Sequence, residues 1–220
     1  MAGCGLRRAG GHSYLSIMNS LLRNFCTATA MLGLATVSAL AAATVGAMAP
    51  DFSLTDSQGR TRTLSEFKGH VIVLEWTNPE CPFVIKHYGS GNMPRLQKTY
   101  DAKGVVWLSI NSGAPGSEGA YAPAAANAWL AREGAAPTAL LLDPTGKVGH
   151  LYGATNTPHM FVINPAGVLV YSGAIDSIRS ADPGDIARAT NYVAAALDAV
   201  LAGKAVEKSR TTPYGCSVKY

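Results

Sequence analysis

The stretch Val71-Ile72-Val73-Leu74-Glu75-Trp76-Thr77-Asn78-Pro79-Glu80-Cys81-Pro82-Phe83 constrains this chain more than any other. It opens as a β-branched apolar run, the pattern of a strand buried on both faces of a parallel sheet. The run breaks at Asn78-Pro79, and a helix can start at Cys81 with Pro82 at the first helical position, where the missing N–H costs no hydrogen bond. A cysteine therefore stands at a helix N-terminus directly after a buried strand. The unpaired N–H groups and the dipole at that point favour negative charge. A thiol there ionises more readily, and the thiolate is the reactive form. Free cysteine is often buried and inert, but the order strand, Cys, Pro, helix points to a reactive sulfur.

The flanking sequence extends this unit in both directions. Two short runs around the turn signal Asp56-Ser57-Gln58-Gly59 predict a hairpin, and residues 64–67 predict one helical turn before Gly69. After Cys81 the helix meets Gly89-Ser90-Gly91, a loop or a kink, and Asn92 and Pro94 restart it as far as Lys103-Gly104. Strands follow at 105–110 and 138–142, with a helix from Pro123 to Glu133 between them and a Gly/Ala/Pro/Ser-rich loop before it. This β-α-β-α-β order predicts an α/β sheet with parallel strands. The pattern then changes. Residues 159–163 and 168–172 flank Asn164-Pro165-Ala166-Gly167 and read as an antiparallel hairpin. Ile186, Ala189, Val193, Leu197 and Val200 share a face at helical spacing, so a single last helix is expected over 185–201. Residues 204–220 read as a polar, irregular tail carrying Cys216.

Charge bounds the partners. The net charge is +4, but Arg7, Arg8 and Arg23 lie in the first 47 residues, which hold no acidic residue. Beyond them basic and acidic residues nearly balance, so no nucleic-acid partner is expected. A basic segment, a long uncharged stretch from 25 to 47 and small residues at Ala41-Ala42-Ala43 and Val45-Gly46-Ala47 make residues 1–47 a secretory leader, with Met18 an alternative start. If retained, the uncharged stretch is long enough to anchor the chain in a membrane. Removal of the leader takes Cys4 and Cys26 with it and leaves Cys81 and Cys216 in an oxidising, periplasmic setting. No Cys/His cluster has zinc-finger spacing, no metal or cofactor is implied, and no nucleophile-elbow motif supports a hydrolase.

Residues 48–203 resemble the thioredoxin fold. Within it they resemble the redoxin branch, the alkyl hydroperoxide reductase / thiol-specific antioxidant, peroxiredoxin-related family. Four features carry the resemblance in order: Ala49-Pro50-Asp51-Phe52-Ser53-Leu54, Leu64-Ser65-Glu66-Phe67-Lys68-Gly69, Cys81-Pro82, and Tyr152-Gly153 through Thr157-Pro158-His159-Met160-Phe161-Val162-Ile163 to Gly167. It implies a thioredoxin-like central mixed sheet: a parallel βαβ half, then an antiparallel hairpin and a C-terminal helix. The ending Gly215-Cys216-Ser217-Val218-Lys219-Tyr220 resembles the tail of a bacterial subgroup of exported redoxin-domain proteins. Two departures matter. A Cys-x-x-Cys dithiol is absent, because Val84 holds the second position if Cys81 is the first cysteine, and Asn78 holds the first if Cys81 is the second. In the peroxiredoxin pattern Pro-x-x-x-Thr-x-x-Cys, Leu74 and Asn78 stand at the Pro and Thr positions, so only Thr77 or Asn78 can replace the hydroxyl that orients a peroxide.

The resemblance implies a thiol-dependent oxidoreductase in which Cys81 thiolate attacks a peroxide or a disulfide and an external thiol restores it. Thr157 and Pro158 are expected to form a cis-proline loop facing Cys81, with Pro82 at the helix start. His159 is a candidate for positioning or proton transfer. Lys86 and His87 read as a solvated helix face, with a through-space effect on the thiol as the alternative. Trp76 reads as core rather than pocket wall. In this fold the last helix runs away from the reactive thiol, by about 25 Å over 185–201. A tail that extends up to ~50 Å can return or cross to a neighbour, so Cys216 is expected to pair with Cys81 of its own chain or of a second copy, as a structural link or as a resolving cysteine. Two alternatives remain. One is thiol–disulfide exchange without Cys-x-x-Cys. The other is a non-enzymatic exported copper carrier using Cys81 with His87 or His159, although carriers of this fold commonly use two cysteines near the helix start. The oligomeric state is open.

Overall fold

The computed structural model describes residues 1–3, 5 and 42–220. Arg7, Arg8, Met18, Arg23, Cys4 and Cys26 of the expected leader lie outside the described residues. Within the unit Leu40–Tyr220, a seven-stranded mixed sheet holds β1 (Ser53–Asp56), β2 (Thr61–Thr63), β3 (Ile72–Trp76), β4 (Val106–Asn111), β5 (Ala139–Leu142), β7 (His159–Ile163) and β8 (Leu169–Gly173). Its order is β2-β1-β5-β4-β3-β7-β8. A separate two-stranded ladder joins β6 (Asn156–Thr157) to β9 (Cys216–Ser217). The helices are α1 (Pro82–Gly89), α2 (Asn92–Asp101), α3 (Pro123–Arg132), α4 (Lys147–Tyr152) and α5 (Tyr192–Leu201).

The central strand is β3. It pairs parallel with β4 and antiparallel with β7, and all five of its residues are buried. Alternation then divides the core. Val73, Trp107, Leu140, Met160 and Val162 meet α1, α2, α3 and α5 on one face. Ile72, Leu74, Trp76, Leu108, Ile110, Leu141 and Phe161 meet α4, Phe52 and Leu64 on the other. The fold is thioredoxin-like: parallel β3, β4 and β5 with helices between them, then the β7–β8 hairpin and a last helix.

Glu75 departs from the apolar run. Its side chain is fully buried and accepts from Trp107 Nε1 (2.7 Å), Tyr88 Oη (2.8 Å), Ser109 Oγ (3.1 Å) and Gln97 Nε2 (3.5 Å). Four donors from three other elements thus satisfy one carboxyl, as a buried charge-bearing group requires. Burial nevertheless raises its pKa above the usual carboxylate value.

The second half of the chain departs from expectation. The stretch 185–201 is not one helix. Pro183–Arg188 is a 3-10 turn, Ala189 is extended, and α5 starts only after Asn191, whose side chain caps Ala194 N at 2.8 Å. An Asn at that point offers the backbone a cap in place of continuation, so Ile186 and Ala189 leave the face that Val193, Ala196 and Leu197 fill. Helix α4 was not expected; it is short and bounded by Gly146 and Gly153, both left-handed. The tail is irregular over most of its length, as expected, but it runs along the body and forms the two-residue β9 before Tyr220. The packed body is wider than 48–203 at both ends. Gly46 N donates to Leu169 O and Ala49 N to Gly167 O, while Ser172 N donates to Ser209 O. These contacts cover the outer edge of β8, which would otherwise be free to pair with another chain. At Gly89-Ser90-Gly91 the choice between loop and kink resolves as a break, with Gly91 left-handed ahead of α2.

Phe161 packs against Trp76 and Tyr152 at centroid distances of 5.1 and 5.7 Å. Phe161→Ala is expected to lower the unfolding free energy by about 3–5 kcal/mol in urea denaturation. Ile85→Ala, on the exposed side of α1, should stay within about 0.5 kcal/mol of the parent.

Candidate active site

Cys81 is the N-cap residue of α1, in extended conformation, with Pro82 at the first helical position. Its backbone N–H donates to Asn78 O (3.1 Å), closing the turn that carries the chain from β3 into the helix. The Asn78 side chain holds the same turn. Oδ1 accepts from Glu80 N (2.8 Å) and Nδ2 donates to Glu118 O (3.2 Å). Asn78 is therefore committed to the loop. Thr77 is buried, its carbonyl accepts from Asn111 Nδ2 (3.2 Å), and its hydroxyl has no partner among the described residues. Pro82 is exposed and Trp76 is core, its Nε1 donating to Ser112 Oγ (3.0 Å).

The sulfur is wholly buried. Cys81 Sγ donates to Thr157 O at 3.0 Å, and the Thr157–Pro158 peptide is cis. Thr157 is also the residue opposite Cys216 in the β6–β9 ladder. One carbonyl-bearing residue thus joins both cysteines, and both are free thiols. Burial works to raise the pKa of Cys81. The Cys216 thiol and the N–H groups of Cys216 and Val84 beside the sulfur oppose it, and the net direction is down. Val84 N–H is one of the open donors at the start of α1, the helix-terminus effect read from the sequence. Cys216 moves the other way, pushed up to about 12 by burial and by the Cys81 sulfur beside it. The pair titrates as a unit, with Cys81 the first to lose a proton.

The AhpC/TSA family profile matches residues 45–172. The chain belongs to the AhpC/TSA family. Among solved structures, a hypothetical protein from Sinorhizobium meliloti is 30% identical, with 80% of this chain and 94% of that one covered and a TM-score of 0.71. An uncharacterized conserved protein from Geobacillus kaustophilus is 29% identical, with 80% and 92% covered and a TM-score of 0.71. The search of curated proteins found no match. In AhpC/TSA terms the chain is a thioredoxin-like redoxin with one cysteine at the first βα junction and a second brought in by the tail.

The remaining candidates are placed differently from one another. His159 is buried and stacks on Phe161 (4.4 Å), on the sheet face opposite α1. Its Nδ1 accepts from Thr155 N (3.3 Å), so Nε2 carries the proton toward Ser172 Oγ (3.3 Å). Both ring nitrogens are engaged there rather than at the sulfur. Lys86 and His87 are not on a solvated face. Both side chains are buried and meet Asp176 Oδ2 at 3.6 and 3.7 Å. Tyr214 Oη donates to Asp176 Oδ1 and lies 3.5 Å from His87 Nε2, while Asn92 Nδ2 sits 3.0 Å from His87 Nδ1. No local pattern announces this cluster, because its acid lies far along the chain from its bases. Among the described residues no group of three His, Cys, Asp or Glu side chains is placed to hold a metal, and the imidazoles considered as copper ligands are engaged elsewhere.

Two measurements follow. Cys216→Ala removes the thiol donor that lowers the Cys81 pKa and keeps the backbone one, so the pH midpoint for iodoacetamide alkylation of Cys81, read by peptide mass, should rise. An unchanged midpoint would refute the assigned electrostatics. His87 and His159 are both lowered to about 4, burial being the main cause. The unfolded chain then takes up these protons first as pH falls. Their contribution is intact above about 6.5 and is lost between there and about 4, by about 3 kcal/mol per histidine. Urea denaturation across that window should show a shallower pH slope in His159→Gln than in the parent.

Proposed function

We propose that the chain is a thiol-dependent peroxide reductase in which Cys81 is the nucleophile and Cys216 the resolving thiol. The observation that carries this reading is the meeting of Cys81 and Cys216 at Thr157. Cys81 thiolate attacks one peroxide oxygen, the O–O bond breaks, and the departing oxygen leaves as water or alcohol after taking a proton. Cys81 becomes a sulfenic acid. Cys216 sulfur then attacks Cys81 sulfur, releasing water and leaving a Cys81–Cys216 disulfide, which an external dithiol reduces by exchange. The two thiols are poised unequally for these steps, since Cys81 ionises first and Cys216 keeps its proton until the sulfenic acid forms.

Burial of the sulfur favours a small oxidant. A void of about 10 Å³ beside Thr77, Asn78 and Thr157 is roofed by Val218 and Lys219, room for about one water molecule. In this reading a hydroperoxide needs less movement of the tail to reach the buried sulfur than a protein disulfide does. A second reading, thiol–disulfide exchange, draws support from the β6–β9 ladder, which shows that an extended segment can pair beside the thiol. The proposed setting is outside the cytoplasm, where a two-cysteine pair can oxidise; it rests on the leader-like composition of residues 1–47. No helix among the described residues is long and apolar enough to cross a membrane.

Purified protein with hydrogen peroxide or an organic hydroperoxide and a dithiol is expected to turn over, and Cys81→Ser to fall to the uncatalysed background. Cys216→Ser should consume peroxide once and then accumulate Cys81 as sulfenic or sulfinic acid. Non-reducing peptide mapping of the oxidised parent should recover Cys81 linked to Cys216. Two untouched thiols after peroxide would end this reading, and reduction of insulin disulfides without peroxide turnover would replace it with the second.

A further inference from the structure

The tail is seated at a series of positions where the body is shaped to receive it. Thr211 N donates to Ser172 O (3.1 Å) and Thr211 Oγ1 accepts from Ala174 N (2.9 Å). A Cβ at Gly173, whose φ is +154°, would collide with Thr211. Tyr214 is buried, with its ring edge-on to Phe83 (5.7 Å) and its hydroxyl on Asp176. Gly215 passes so close to Thr157 O that a side chain has no room there, and Asn156 Nδ2 donates to Gly215 O (3.0 Å). Cys216–Ser217 pairs with Asn156–Thr157, and Val218 N continues the contact to Thr155 O (3.1 Å). Ala114 N donates to Lys219 O (2.7 Å). At the end, the Tyr220 ring stacks on His150 (4.0 Å) and its hydroxyl donates to Ala154 O (2.6 Å). A Cβ at Gly146 or Gly149 would overlap that ring. Missing side chains on the body thus coincide with the tail at Gly173, Gly146 and Gly149, and on the tail with the body at Gly215.

We propose that the β6 edge and the Gly146–Gly149–His150 slot form a peptide-binding groove. Its ligand is an extended segment with Gly-Cys opposite Thr157 and a tyrosine four residues after that cysteine in the slot. The chain's own residues 211–220 are the resident ligand and a detachable cover over Cys81. The contacts make detachment reasonable in physical terms. The ladder is two residues long, too short to hold by itself. Ser217 and Tyr220 are exposed, and the seated segment contributes only Tyr214 to the fully buried core. Opening is therefore local and leaves the sheet intact. The groove uses main-chain pairing for affinity and the two tyrosines for specificity. This inference takes from the proposed function only that Cys81 is the thiol whose access matters.

The test uses the full-length reduced protein and a bulky maleimide, with the Cys81 peptide quantified by mass at a pH where the alkylation rate no longer rises. Working on that plateau separates access from ionisation. Tyr220→Ala empties the slot from the tail side, and Gly149→Ala fills it from the body side without altering the tail. Both are expected to alkylate Cys81 about tenfold faster or more, because local opening now governs access less. A synthetic peptide of residues 210–220, with serine in place of Cys216, should restore protection to Tyr220→Ala in a saturable way when its own terminal tyrosine is present. A peptide with alanine at that end should not. A variant that had merely unfolded would not be protected by either peptide, and its thermal melt would show the loss. Equal rates in the parent and both variants, or no protection by the tyrosine-ended peptide, overturns the proposal. The readout needs no peroxide and no reductant turnover. A chain inert to peroxide can still pass this test, and an active peroxide reductase can fail it.

Discussion

The Thr157 carbonyl is the point on which the site depends. It receives the Cys81 thiol on one side, and on the other it leaves room only for the bare Cα of Gly215. β3 and α1 bring the sulfur to it, β7 anchors the following cis-proline, and the tail closes over it. β3 and α1 are consecutive, but β7 and the tail lie far along the chain from them, so the sheet order is what makes the contact possible: β3 lies directly beside β7. A side chain at Gly215 would push β9 from β6 and carry Cys216 away from Cys81. The left-handed region that Gly215 occupies, with φ at +123°, excludes most residues independently of that clash.

Two buried polar clusters tie α1 to the rest of the fold. The Glu75 carboxyl gathers donors from α1, α2 and β4. Asp176 gathers Lys86 and His87 from α1 and Tyr214 from the tail. Buried charge is costly unless its lone pairs and protons are all met, and each acid here is met from several elements at once. The consequence is geometric. The helix that presents Cys81 at its first turn is fixed near its end by Glu75, through Tyr88, and by Asp176. Because Tyr214 shares the second cluster, the seating of the tail and the placement of the helix are coupled through one carboxylate. Tyr214 ionises well above its ordinary range, burial first and Asp176 second, so it stays a donor to that carboxylate at any working pH.

Much of this was legible in local pattern. The strand run, the Asn-Pro break, Cys81 at a cap with Pro82 after it, the parallel order and the hairpin at Asn164-Pro165-Ala166-Gly167 each rest on a few neighbouring residues, and each recurs in the structure. What was hidden depends on partners distant in sequence. Glu75 reads as one blemish in an apolar run, since its donors lie on three other elements. Lys86 and His87 read as solvated until Asp176 appears beside them. A polar tail with one glycine carries no periodicity, yet main-chain bonds and tyrosines order it. The break before α5 was readable in principle: Asn191 is a good cap, and the apolar spacing of 186–200 outweighed it wrongly.

The asymmetry of the two thiols gives the proposed reaction a direction. A hydrogen bond between two thiols can place the shared proton on either sulfur. Here the open N–H of Val84 at the helix start acts on Cys81 alone, and it stabilises the anion there. Cys216 has no helix behind it, lies near the acid of Glu118, and is raised by the charge it helps to create on its neighbour. Of the two, Cys81 is therefore the easier to ionise. Once Cys81 is oxidised to a neutral sulfenic acid its charge is gone, and the part of the Cys216 shift that this charge adds to burial goes with it. In the proposed cycle the first step thus eases the second. Cys216 becomes easier to ionise when its thiolate is needed to attack Cys81, and not before.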